Sequence, residues 1–328
     1  MNPVIQTLLT SDEPSIRYGA RLYLVEEDPA SETMRALQEE IRTSPRVAKL
    51  LSERDDHGCL PYPPYSKWVG AHWVLAVLAD LEYPAGDASL VPLRDQQYSF
   101  FFTGSREHPI PARRRVVVRG QPRMCASIEG NGLYAPLKLG IADARVQALF
   151  DLLLDWQWPD GGWNCDKRPA AGRSSFMETL IPLRAVNLYY RQSGDPRAGR
   201  VVEQASEVFL KRRLFRRLSD GEVMDPNFVL LHYPLYWHYD ILGGLKVMAE
   251  IGRLDDPRCA EALELLESKR LPDGGFPAEA KYYTTAPSAK TGRSLVDWGK
   301  TSMVRMNPWV TLDALRVLKA AGRFDPLH

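Results

Sequence analysis

Gln157-Trp158-Pro159-Asp160-Gly161-Gly162-Trp163 follows directly on Arg145–Trp156, a run in which apolar residues recur at helical spacing between charged ones. The run reads as an amphipathic helix packed by one face. The seven residues after it read as a tight turn, because proline presets φ and glycine tolerates positive φ. The aromatic residue after the glycines is expected to fold back on the preceding helix, with Gln157 bonding carbonyls at that helix's end. Leu271-Pro272-Asp273-Gly274-Gly275-Phe276 repeats the turn, and Ser219-Asp220-Gly221-Glu222 and Asp56-His57-Gly58 are weaker copies. An element that recurs once per helical unit is a structural device, so no catalytic role is expected of it.

A second repeat runs through the chain. Five apolar stretches stop alike, at Glu82, Gly140, Gly194, Gly252 and Gly322, with spacings of 58, 54, 58 and 70 residues. Glycine just past a helix end, with Asp or Pro beyond it, is a stop-and-restart signal. Each period holds one helical hairpin and a loop. The helices before the landmarks, at about 67–81, 127–139, 176–192, 234–251 and 308–321, are apolar and aromatic. Those after the first four, at about 88–100, 142–156, 196–214 and 256–268, are amphipathic. An inner and an outer ring follow, with two further helices at about 14–26 and 32–51. Strand signal is nearly confined to Val116–Val118. The fold class is all-α, a single domain over 1–328, with N-terminal helices in 1–55 and repeats in 56–328.

The glutamine–aspartate–glycine–tryptophan turn resembles the QW motif of squalene-hopene cyclases, and the wider pattern is similar to prenyltransferase/squalene-cyclase repeats. Cys125-Ala126-Ser127-Ile128-Glu129-Gly130-Asn131, leading to Asp160-Gly161-Gly162-Trp163-Asn164-Cys165, is similar to segments of uncharacterised bacterial members of that superfamily. The resemblance covers roughly residues 55–325. It implies an (α/α) toroid of five to six hairpins around a central cavity.

Composition excludes other classes. Lys plus Arg (42) nearly balances Asp plus Glu (41), so no general nucleic-acid binder is expected. The four cysteines lack CxxC spacing, and no apolar run approaches membrane-spanning length. The first residues do not read as a signal peptide, so a cytoplasmic location is the expectation. No cofactor is expected; zinc on two thiols and a histidine is the alternative.

In such a barrel the inner-helix N-termini converge at one end, where exposed N–H groups favour anions. The residues there are largely aromatic: Trp68, His72, Glu129, Tyr233, Trp237 and Trp309 are expected to bind substrate. Aromatic faces suit an apolar ligand or a cationic transition state. His72 reads equally as a core histidine, and Asn307-Pro308 as a helix cap. Ser175-x-x-Glu178 matches a capping box.

Two groups of residues carry chemistry. His232, Tyr236 and Asp240, four apart, share one stripe if the segment is helical, and His238 lies on another face. Such a stripe could move a proton; a core polar network is the other reading. Cys125 and Cys165 both approach inner-helix starts, where a thiol gains acidity; burial as inert cysteines is the alternative. Arg106, Arg113, Arg114, Arg115, Arg119 and Arg123 lie in a loop holding only Glu107 as counter-charge. That loop is either a clamp for an anionic group or a solvated segment.

The Asp-x-Asp-Asp acid of triterpene cyclases is absent, and Glu53-Arg54-Asp55-Asp56 is its nearest match. The Asp-x-Cys of zinc-dependent prenyltransferases is absent too, since Cys165-Asp166 reverses it. Two functions remain: a lyase or isomerase using His232, His238, Asp240, Cys125, Cys165 and Tyr236 on a small apolar, terpenoid-type substrate, or a non-catalytic toroid binding a hydrophobic ligand or peptide.

Overall fold

All five landmark residues lie in the left-handed region, with φ of 57° at Glu82, 64° at Gly140, 69° at Gly194, 70° at Gly252 and 67° at Gly322. Each stops an inner helix, as the spacing predicted. The computed structural model describes residues 2–326. Its helices are α1 (Pro3–Leu9), α2 (Pro14–Gly19, continued by a π-helical turn Ala20–Val25), α3 (Glu32–Thr43), α4 (Pro45–Leu51), α5 (Ala71–Asp80), α6 (Val91–Tyr98), α7 (Ala126–Lys138), α8 (Arg145–Trp156), α9 (Phe176–Ser193), α10 (Pro196–Leu210), α11 (Ile241–Glu250), α12 (Ala260–Ser268) and α13 (Pro308–Ala320). Among the described residues the strands form two small antiparallel hairpins, Phe102–Gly104 with Pro109–Pro111 and Val117–Val118 with Gln121–Pro122.

The inner helices form a ring. α5 packs on α7, α7 on α9, α9 on α11, α11 on α13, and α13 on α2 and its π-helical continuation. Tyr23 of that continuation hydrogen-bonds Glu82 beyond α5, which closes the circle. Each of α6, α8, α10 and α12 packs outside an inner neighbour. The chain is an (α/α) toroid. Helix α1 was not expected; Asn2 caps it, accepting from Val4 N, and Pro3 opens it.

The repeated turn does what its sequence implies, with one correction. Gln157 Nε2 donates to Gly161 O at 2.7 Å inside the turn, and it is Trp163 Nε1 that donates to a helix carbonyl, Leu153 O, at 2.8 Å. The Trp163 backbone then bonds the next inner helix: its O accepts from Ser175 N (2.8 Å) and its N–H donates to Thr179 Oγ1 (3.2 Å). Phe276 repeats this, accepting from Asn307 N (2.8 Å) and donating to Thr311 Oγ1 (2.9 Å). The turn therefore fixes where the following inner helix begins.

The lower half of the axis is charged. Arg184 of α9 bonds Asp80 of α5 and Glu250 of α11, each at 2.8 Å. Lys246 of α11 pairs with Asp313 of α13 at 2.8 Å, and Arg316 stands 3.5 Å from Glu250. Burial alone would raise the Glu250 carboxyl, but Arg184 and Arg316 overcome it and hold it at about 2. These pairs link α5, α9, α11 and α13 across the ring.

Candidate functional site

Against these pairs lies a cavity of about 60 Å³ reached by α5, α7, α9, α11 and α13. That is room for about four waters or a small part of a ligand. Its walls include Val77, Leu180, Ile181 and Leu242; Asp80, Arg184 and Lys246 form its floor. His232, Tyr233, Tyr236 and Asp240 complete it.

The segment carrying these four is not helical. Pro234 and Tyr236, whose φ is 50°, hold residues 230–239 as irregular chain, and α11 begins only at Ile241. The single helical stripe expected of His232, Tyr236 and Asp240 is therefore corrected. Two of its members meet by another route. Asp240 caps α11, its Oδ1 accepting from Gly243 N at 2.7 Å, while its Oδ2 accepts from His232 N at 2.9 Å. His232 Nδ1 lies 2.8 Å from Asp240 Oδ2 and 3.3 Å from Leu230 O. Both neighbours are acceptors, so the neutral ring carries its proton on Nδ1. Nε2 is buried with no hydrogen-bond partner among the described residues, leaving its lone pair free.

Tyr236 stacks on Trp68 at 3.9 Å between ring centroids, and Trp68 meets Trp73 edge-on at 4.6 Å. His238 lies between Trp237 (4.1 Å) and Tyr282 (3.8 Å). Burial, then His232 and Lys67, lower its pKa to about 3, so it stays neutral. Tyr233 stacks on Trp309 at 4.9 Å. Of the aromatic residues expected to bind substrate, Tyr233 lines the cavity, while Trp68, Trp237 and Trp309 are not among its lining residues.

A second cluster sits where α7 and α9 start. The sulfurs of Cys125 and Cys165 and a carboxylate oxygen of Glu178 lie within 4.8 Å of one another. Glu178 is not the partner of a Ser175 cap: Ser175 makes no side-chain cap bond. Instead Oε2 accepts from Ser127 N at 3.0 Å, and Oε1 accepts from the Cys165 thiol at 3.2 Å. The neighbouring Cys125 sulfur, burial and Glu178 push Cys165 well above the usual thiol range, whereas hydrogen bonding with Cys165 lowers Cys125. Tyr65 beside them is raised by burial and then by the charges of Glu178 and Cys125. His72 is a core histidine, with Nδ1 3.2 Å from the Gln97 amide and its pKa lowered by burial to about 3.

The arginine loop is neither a bare clamp nor free in solvent. Arg113 Nη1 bonds both oxygens of Glu129, at 2.6 and 2.7 Å, and Glu129 is only 1 % exposed. Burial raises Glu129 to about 7, against the pull of Arg113. Its native pKa lies above its ordinary value of 4.5, so folding takes up a proton between those limits. Its own contribution to global stability therefore falls as pH rises through pH 4.5–7. The ionic hold on the loop moves the other way and is lost on acidification. Amide exchange over residues 105–123, corrected for intrinsic rates, is expected to be faster at pH 5 than at pH 8. Glu129→Gln should flatten that difference; a wild-type loop indifferent to pH would refute it.

No family model matches the chain, and no curated protein matches it. Among solved structures it is similar to a family 76 glycoside hydrolase from a bovine Bacteroides thetaiotaomicron strain, at 14% identity over 97% of this chain and 69% of that one, TM-score 0.46. It is similar also to unsaturated glucuronyl hydrolase from Bacillus sp. GL1, at 11% identity over 93% and 84%, TM-score 0.45. A third is the type II terpene cyclase MstE from Scytonema, at 13% identity over 98% and 99%, TM-score 0.44. Likenesses this distant leave the chemistry to be argued from side chains. Among the described residues no helix is long and apolar enough to cross a membrane.

Proposed function

We propose that the protein is an acid–base enzyme, a lyase or isomerase, acting on a small, mainly apolar substrate seated against His232. The observation that carries this reading is the pairing of His232 Nδ1 with Asp240 in the cavity wall, its Nε2 having no hydrogen-bond partner among the described residues. A neutral imidazole so oriented accepts a proton from a substrate C–H or O–H, and the Asp240 carboxylate stabilises the resulting imidazolium. Returning the proton to another substrate atom completes an isomerisation; giving it to a departing hydroxyl completes a dehydration. The positive charge of that step sits on the imidazole, whose ring the Tyr282 ring borders at 4.8 Å between centroids. Val77, Leu180 and Ile181 would hold the apolar body, and Lys246 and Arg184 a polar end. Terpenoid alcohols and their alkenes are one substrate class of this description.

The test is incubation with a panel of small unsaturated alcohols and alkenes in deuterium oxide. Enzyme-dependent deuterium at carbon, absent with His232→Gln, is the expected result. Tight binding of a panel member that is returned unlabelled would favour a non-catalytic carrier instead.

A further inference from the structure

We infer that Cys125, Cys165 and Glu178 form a binding site for a soft divalent cation, zinc above all. The three donors come from separate segments: Cys125 just before α7, Cys165 in the loop after the Trp163 turn, and Glu178 in the first turn of α9. Among the described residues they are the three histidine, cysteine or acidic side chains that meet in this way, with all donor atoms within 4.8 Å of one another. A tetrahedral zinc with bonds of about 2.3 Å to sulfur and about 2.1 Å to oxygen needs these donors roughly 3.6–3.8 Å apart. Cys165 Sγ and Glu178 Oε1 stand 3.2 Å apart and would open slightly around an ion, while the other donor pairs start within 4.8 Å.

The donors are also held from behind, as metal ligands need to be. Ser127 N fixes the far oxygen of Glu178 at 3.0 Å. The Cys165 loop is pinned by Asn164 Nδ2 donating to Arg173 O and by Asp166 N donating to Asn164 Oδ1, each at 2.8 Å. Two thiolates with one carboxylate match the ligand preference of zinc, not of magnesium or calcium. Three protein ligands leave a fourth place for water or a ligand oxygen, the arrangement of a reactive rather than a sealed site. The donor set has no histidine and takes its carboxylate from Glu178 on α9, not from an aspartate two residues before a cysteine. It does not depend on His232 acting as a base.

The proton balance is definite. Each thiol loses one proton when the ion binds, and the carboxylate loses none. The cluster's charge, −1 with two neutral thiols and one carboxylate, is therefore unchanged by a dication, while two protons leave for solvent.

The experiment uses full-length protein, reduced and stripped with a chelator, then titrated separately with zinc and with cobalt(II). One ion per chain is expected, with about two protons released per ion near neutral pH. The cobalt form should show thiolate-to-metal absorption and the visible bands of a tetrahedral centre. Cys125→Ser, Cys165→Ser and Glu178→Gln should each weaken binding by about 100-fold, and Cys259→Ser, in the outer ring, should not. No stoichiometric binding by the reduced wild type overturns the inference, as does a cobalt spectrum without thiolate bands. Binding by folded Cys125→Ser and Cys165→Ser as tight as that of the wild type also overturns it. Should a variant fail to fold, the wild-type cobalt spectrum and proton count decide alone.

Discussion

Arg184→Met is expected to destabilise the protein by about 2–4 kcal/mol, somewhat below the ~3–5 kcal/mol of a fully dry broken pair. The discount reflects the 17 % of its side chain that is exposed to solvent. Methionine keeps much of the stem but leaves Asp80 and Glu250 without their shared cation. Glu250 then retains Arg316 at 3.5 Å, while Asp80 loses its 2.8 Å contact. Chemical denaturation at neutral pH measures the loss. Because the damage is uncompensated charge, adding Asp80→Asn and Glu250→Gln should recover a large part of it. A triple variant no more stable than Arg184→Met would show that packing, not charge, makes Arg184 matter.

The second large effect is catalytic. With a responsive substrate in hand, His232→Gln should lower turnover by about 10²–10⁴-fold with little change in folding, because it removes a proton acceptor and keeps much of the volume. Asp240→Asn should do two things at once. Each Asp240 oxygen accepts from a backbone N–H, Gly243 on one side and His232 on the other. Asparagine has one acceptor oxygen, so its amide NH₂ must face a donor, and about 1–3 kcal/mol of stability is lost with the rate. Variants at His232 and Asp240 that turn over at the wild-type rate would remove the basis of the proposed chemistry.

These effects differ in how far the sequence foretold them. The ring was legible because its signals repeat: five stops in one backbone conformation, and a turn whose aromatic residue packs locally. The pairing of His232 with Asp240 was anticipated through the wrong geometry, since a four-residue spacing suggests a helix that Pro234 and the left-handed Tyr236 prevent. Glu178 was assigned to its own helix's cap, because Ser-x-x-Glu looks the same whether the carboxylate turns home or reaches Ser127, 51 residues away. The convergence of Cys125 with Cys165 depends on α7 lying against α9, which no local pattern encodes. The axial charges were missed because each inner helix shows only one or two of them within an apolar stretch. Arg184, Lys246, Glu250 and Asp313 in otherwise hydrophobic surroundings were the available signal, since an unpaired charge is rarely buried.

The ion pairs of Arg184 and Lys246 lay fixed charge across the ring, and Leu180, Ile181 and Leu242 stand beside it in the same cavity. For the proposed chemistry this polarises the chamber, so a molecule with one polar end has a single favoured direction in it. The atom presented to His232 is then set by the molecule's length, and analogues longer or shorter by one methylene should react more slowly even where they bind as tightly.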